Sequence, residues 1–164
     1  MSNELLKITN LNVSFRTPTG SITAVDDISL CINKSETVAI VGESGSGKST
    51  TALSILGLLP YPIAFHRNGS IKFNNTELLN VDKKILQNIR GSKVGIIFQE
   101  PMMSLNPLHK IKKQIKESLI IHKTISNTKI NNRVIELLSL VGLDNVNQHL
   151  NKYPYQLSGG QRQR

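Results

Sequence analysis

Nine residues, Gly42-Glu43-Ser44-Gly45-Ser46-Gly47-Lys48-Ser49-Thr50, constrain this chain more than any other stretch. They fit the pattern G-x-x-x-x-G-K-[ST], in which main-chain amides and a lysine cradle the phosphates of a nucleoside triphosphate. Such a loop requires a strand to deliver the chain and a helix to carry it away. Residues 37–41, Thr-Val-Ala-Ile-Val, read as a buried strand entering the loop. Thr50 to Leu59, with Leu53, Ile55, Leu56 and Leu59 apolar, reads as the helix leaving it. Glycine is expected at Gly42, Gly45 and Gly47 because amides must turn inward and approach the phosphates closely. The helix start adds about half a positive charge at the same place. Lys48 then reaches the β- and γ-phosphates, and the Ser49 hydroxyl ligates Mg²⁺. A chance match in a chain of this length is on the order of one in a few hundred.

The chain has 164 residues, enough for one domain with a real core. A net charge of +9 suits nucleotides, nucleic acid or an anionic membrane face, and does not choose among them. Aromatic residues are sparse and Trp is absent, which argues against a base-stacking platform. The single cysteine, Cys31, excludes an internal disulfide framework and is expected to be a small core residue. The most apolar segment, Ala52 to Phe65, is broken by Pro60 and Pro62, too short to span a bilayer. The first residues show no basic stretch followed by an apolar one. The expectation is a cytosolic domain that meets a membrane through a partner. Four histidines at positions 66, 109, 122 and 149 have no ligand spacing, so no transition-metal site is expected.

Alternation marks strands over Leu5 to Phe15, with Leu11, Val13 and Phe15 on one face, and over Ile22 to Ile32, with Ile28, Leu30 and Ile32 on another. Pro18-Thr19-Gly20 turns the chain between them, and Asn33 to Glu36 turns it again. Asn68-Gly69 opens a short strand, Ser70 to Phe73. Asp82 caps a helix running to about Arg90, which Gly91 stops. Residues 94–98 form a compact apolar run that reads as a buried strand. Beyond Pro101 the periodicity turns helical: Ile111, Ile115 and Leu119 recur every four residues. Ile130, Val134, Leu137, Leu138 and Val141 form a stripe ending at Gly142. The boundaries expected are a nucleotide-binding α/β core over 1–100 and a helical lobe over 101–164.

Leu157-Ser158-Gly159-Gly160-Gln161 is the second strong signal. Ser158 is a good helix cap, and two glycines bare the backbone so that a helix start can present amides to an anion. With a phosphate loop about 110 residues upstream, this segment resembles the signature of ABC transporter ATP-binding subunits. Phe98 to Pro107 is similar to the glutamine-loop segment of the oligopeptide and dipeptide importer ATPases, and Tyr153 to Arg164 to their signature segment. Ser35 departs from the family, standing where glycine is usual, and is expected to strain its turn. Tyr155 stands where histidine is frequent. The fold implied is a P-loop NTPase of the ABC type, with an antiparallel β subdomain and a helical subdomain, C-terminally incomplete.

The resemblance implies roles residue by residue. Gln99 helps hold Mg²⁺ and the attacking water, and Phe15 stacks on adenine. Ser158, Gly159, Gly160 and Gln161 approach the γ-phosphate held by a second ATP-binding subunit. ATP and Mg²⁺ are the implied cofactors. Transmembrane permease subunits are the implied partners, at the cytoplasmic face of the membrane, with uptake of peptides or similar solutes as the function. Nucleic acid is not an expected partner, because no sustained heptads separate Gly47 from Leu157 as they do in DNA-acting relatives. The family's Asp-Glu strand end and switch-loop histidine have no counterpart up to Arg164. The chain by itself is therefore expected to hydrolyse ATP slowly and to fold weakly.

Overall fold

The computed structural model describes residues 3–98, 104–122, 126 and 128–164. The chain divides into two compact units, Met1–Arg90 and Gly91–Arg164.

In the first unit β1 (Glu4–Thr17) and β2 (Gly20–Asn33) form a long antiparallel hairpin joined by Pro18 and Thr19. Strand β3 (Ala64–Phe73) pairs along the other side of β1, and β4 (Thr76–Glu77) pairs with β3, giving the order β2-β1-β3-β4. Both hairpin strands were legible as alternating runs, but the alternation of β1 changes phase part-way. Asn10 has φ +46° and opposes a left-handed Asp27, with its side-chain amide donating to Asp27 Oδ1 at 2.7 Å. The register slips there, so the even positions Leu6 and Ile8 and the odd positions Leu11 and Val13 are all buried.

Cys31 corrects an expectation: it is exposed, paired across from the exposed Lys7. In a strand of period two, the half-buried Leu30 and Ile32 put their inner neighbour outward, and small size does not override that geometry. Strand β3 also begins earlier than Asn68-Gly69, at Ala64, because Ala64 and Phe65 pair with Phe15 and Ser14.

The larger correction concerns residues 37–41, which form no strand: Ile40 is half exposed and Val41 is 91% exposed. A strand exists only where a ladder partner satisfies its amides and carbonyls, and none pairs with this segment among the described residues. The same holds for residues 94–98 in the second unit. Gly91 N donates to Val94 O at 2.9 Å, but Ile97 is 93% exposed and no ladder forms among the described residues.

Helix α1 (Lys48–Ile55) follows the glycine loop and stops short of the expected Leu59. Arg90 closes its end, with Nε donating to Leu56 O at 2.8 Å and Nη2 to Gly57 O at 2.9 Å. A guanidinium thus satisfies carbonyls that a helix end leaves orphaned. Helix α2 (Lys83–Ile89) is capped as its sequence implies: Asp82 Oδ1 accepts from Lys84 N at 2.9 Å.

The second unit contains α3 (Ile111–Ile121), α4 (Ile130–Leu140), α5 (Val146–His149) and α6 (Gly159–Gln163), with a 3₁₀ turn over Pro154–Gln156. Ile111, Ile130, Val134 and Leu138 build its core with Leu143, Leu150 and Leu157, and Ile115 and Leu119 pack against it. The fourfold spacing of α3 and most of the α4 stripe therefore face inward. Val141 is the exception: it lies beyond the last helical residue and is exposed. Among the described residues no helix is long and apolar enough to cross a membrane.

A candidate phosphate-binding site

The loop is built around Gly47. It is the N-cap of α1 with φ +87°, and a Cβ there would stand 2.4 Å from Ala24 O and 3.2 Å from Val25 Cγ2. Main chain from the loop thus packs directly against main chain of β2. Gly45 has φ +82° with open space around it. Gly42 has no left-handed backbone, and a Cβ there would meet only Ser46 Oγ at 2.8 Å, the end of a rotatable side chain. The three glycines of the loop are therefore required to different degrees.

Ser46 N donates to Glu43 O at 3.2 Å, folding the loop back on itself, and Thr51 N donates to Gly47 O at 2.8 Å to open the helix. The amides of Lys48, Ser49 and Thr50 precede any intrahelical acceptor and lie at the positive end of the helix. They border a cavity of about 140 Å³ lined by Ala24 and by residues 45–50. That volume is small against the roughly 300 Å³ at which small-molecule pockets begin. It suits phosphate groups, with the rest of a nucleotide lying outside it. Ala24 belongs to this site although no local pattern announces it, since it reaches the loop only through the fold.

Lys48 is half-buried, and its ammonium bends onto the loop. Nζ donates to Gly42 O at 2.9 Å, Glu43 O at 2.6 Å and Ser46 Oγ at 3.3 Å. All three donors of the ammonium are used on the loop's own oxygens. Ser44 and Ser49 are exposed, and Thr50 is half-buried. Phe15 is half-buried on β1, opposite Ile22 and Ala64. Gln99 lies outside the described residues.

The second motif is described within its own unit. Ser158 Oγ accepts from Gln161 N at 3.2 Å and Gln161 Oε1 accepts from Ser158 N at 3.0 Å, a reciprocal cap at the start of α6. Gln161 Nε2 also lies 3.2 Å from Nε2 of the buried His149. Arg164 Nη1 donates to Gly142 O at 2.6 Å. Among the described residues a Cβ on Gly159 or Gly160 would meet nothing within 4 Å, so their packing does not demand glycine at either position. Open space in front of two bare residues is what an approaching external group needs.

Comparison with known proteins identifies the family and the fold. The profile of the ABC transporter family matches residues 25–164. The peptidoglycan transport ATP-binding protein YejF of Agrobacterium fabrum is 48% identical over 98% of this chain, which spans 29% of that protein. The oligopeptide transport ATP-binding protein OppD of Bacillus subtilis is 44% identical over 98% of the chain, which spans 45% of it. The chain thus spans less than half the length of these curated relatives. Among solved structures, the ATP-binding cassette MJ0796, dimeric and bound to ADP and Pi in a post-hydrolysis state, superimposes with a TM-score of 0.80. The identity is 30%, over 97% of this chain and 66% of the cassette.

Proposed function

We propose, from the premise that this chain belongs to the ABC transporter family, that it is the nucleotide-binding part of an ATP-driven importer of peptides or similar small solutes. The observation that carries this is the glycine loop, whose bare helix-start amides border a phosphate-sized cavity that Lys48 also lines, with its ammonium resting on the adjoining Gly42 and Glu43 carbonyls. The amides that begin α1 hold the β- and γ-phosphates, and Lys48 leaves its carbonyl contacts to neutralise them. Ser49 offers a hard oxygen donor at the helix start. A Mg²⁺ ion, which keeps most of its waters and shares phosphate oxygens, fits such a site. When bound, the ion neutralises charge on the transferring phosphoryl group.

In this reading Ser158, Gly159, Gly160 and Gln161 face the γ-phosphate held by a second ATP-binding subunit. The open space before both glycines supports that assignment, as does the dimeric state of MJ0796. Gln99 holds the water and ion, and Phe15 stacks on the base. Permease subunits at the cytoplasmic face of the membrane receive the conformational change, and the peptide-type names of the relatives support the solute class.

A second reading, weak binding with poor turnover by the 164-residue polypeptide, is favoured by the Lys48 contacts. Binding a triphosphate must first displace three donors from the loop's own oxygens. Titration calorimetry with Mg·ATP, on the wild type and on Lys48→Ala, tests both. The wild type is expected to bind, the variant to lose affinity by roughly 10- to 100-fold, and steady-state hydrolysis to be slow. Equal binding by the two proteins, or by neither, overturns the proposed function.

A further inference from the structure

The outer side of α3 carries a feature that nucleotide chemistry does not use. Lys112, Lys116 and Ile120 follow one another at intervals of four, and so do Lys113, Glu117 and Ile121. Each stripe runs from ammonium at the helix start to isoleucine at the helix end, off the face that Ile111 and Ile115 turn to the core, with Lys112 and Lys116 half-buried and Lys113 and Glu117 exposed. With Lys110, these stripes line an open groove of about 560 Å³ whose walls are mainly carbon, supplied by lysine stems and by the two isoleucines. Ile120 is 51% and Ile121 65% exposed. Leu108, just before the helix, is 80% exposed. Among the described residues no ion pair neutralises any of the four lysines, and one carboxylate, Glu117, shares the groove.

From this juxtaposition we infer that the α3 face binds the surface of an anionic phospholipid bilayer, the lysines meeting headgroups and Ile120 and Ile121 entering the headgroup–acyl boundary. Charge complementarity points to a polyanion, and the details choose which one. Four lysines and no arginine supply flexible point charges, suited to a diffuse layer of phosphates. No Phe, Tyr or Trp lines the groove for stacking on nucleic-acid bases, and its one aromatic ring, the His109 imidazole, is held against Lys113, with Nε2 3.1 Å from Nζ. Exposed branched aliphatic side chains beside the cations suit an interface that is charged outside and apolar within. The contact does not depend on the phosphate loop, which lies in the other unit.

The test is sedimentation of the 164-residue chain with vesicles of phosphatidylcholine mixed with phosphatidylglycerol, and with vesicles of phosphatidylcholine alone. Binding to the mixed vesicles only is expected, weakened but not abolished as salt shortens the Debye length. Lys112→Gln/Lys116→Gln should lower the partition constant about 25-fold, about fivefold per lysine. Lys83→Gln/Lys84→Gln, which removes the same charge from α2, should bind as the wild type does. Ile120→Ser/Ile121→Ser should remove the part of the binding that survives high salt, with the helical circular dichroism unchanged. Lys48→Ala should bind vesicles normally, so failure of the nucleotide assignment and failure of this one are distinguishable. Equal sedimentation with both vesicle types, or equal loss in the α2 and α3 variants, overturns the inference. So does retention of a DNA duplex or an acidic peptide by a chain that ignores anionic vesicles.

Discussion

Replacing Gly47 by alanine is the sharpest probe of the phosphate loop, because two separate costs meet at that residue. Its φ of +87° places an alanine in the left-handed region, which costs about 1–2 kcal/mol. The added Cβ would also stand 2.4 Å from the Ala24 carbonyl oxygen, about 1 Å inside ordinary contact. The obstacle is backbone of β2, so relief requires the loop or the strand to move, at about 1–3 kcal/mol. A combined cost of roughly 2–5 kcal/mol lowers the melting temperature by roughly 10 °C in a chain of this size. If the proposed site holds phosphate, displacing the helix start should also lower nucleotide affinity roughly 10- to 100-fold. Differential scanning calorimetry and Mg·ATP titration read the two effects. The companion variants make the reasoning refutable. Gly45→Ala carries the left-handed strain alone, about 1–2 kcal/mol. Gly42→Ala meets only a rotatable Ser46 hydroxyl and should fall within about 0.5 kcal/mol of the wild type. If Gly42→Ala is as damaging as Gly47→Ala, or if all three melt alike, the packing of the loop against β2 is not what demands glycine.

Three further outcomes follow from local geometry. Ser35 has φ +61°, so Ser35→Gly should raise stability by about 1 kcal/mol, read by chemical denaturation. Glu77 is partly desolvated, which by itself raises its pKa. Bonds from the Ser70 hydroxyl and from the amides of Leu79, Ile71 and Leu78 outweigh that and hold it below its usual value. Its contribution is therefore complete above the ordinary value of 4.5 and disappears as pH falls through the lower folded value. Glu77→Gln should cost about 1 kcal/mol at neutral pH and flatten the acid limb of the stability profile. Ser158→Ala removes the acceptor for Gln161 N and should cost about 1 kcal/mol, with amide exchange accelerated in α6 and unchanged in α4.

Local chemistry was readable wherever a residue acts on its own neighbours. Asp82 caps α2 and Ser158 caps α6 through bonds to residues two and three positions away, so the pattern carries the contact within it. Ser35 was expected to strain its turn, and its left-handed backbone agrees with that. The hairpin of β1 and β2 was legible because its two runs alternate and are joined by a short turn. Less was legible where the partner lies elsewhere. The phase change at Asn10 depends on Asp27 and Ser29 across the sheet, and the outward face of Cys31 on how β2 pairs. Residues 37–41 and 94–98 have the apolar, branched composition of buried strands, yet composition supplies no ladder partner.

Taken alone, the order of amino acids determined that a glycine loop opening a helix stands at residues 42–50, that a capped glycine pair stands at 158–161, and which family the chain belongs to. These depend on short-range backbone freedom, hydrogen-bond inventory and charge, all written within a few residues. Only the tertiary structure decided that Gly47 is pressed against Ala24 while Gly42 is not, that Arg90 closes α1, and that the lysines and isoleucines of α3 share one outward groove. The first two are contacts between segments far apart in the chain, and the third depends on which face of α3 the core leaves uncovered, so packing selects what periodicity only offers.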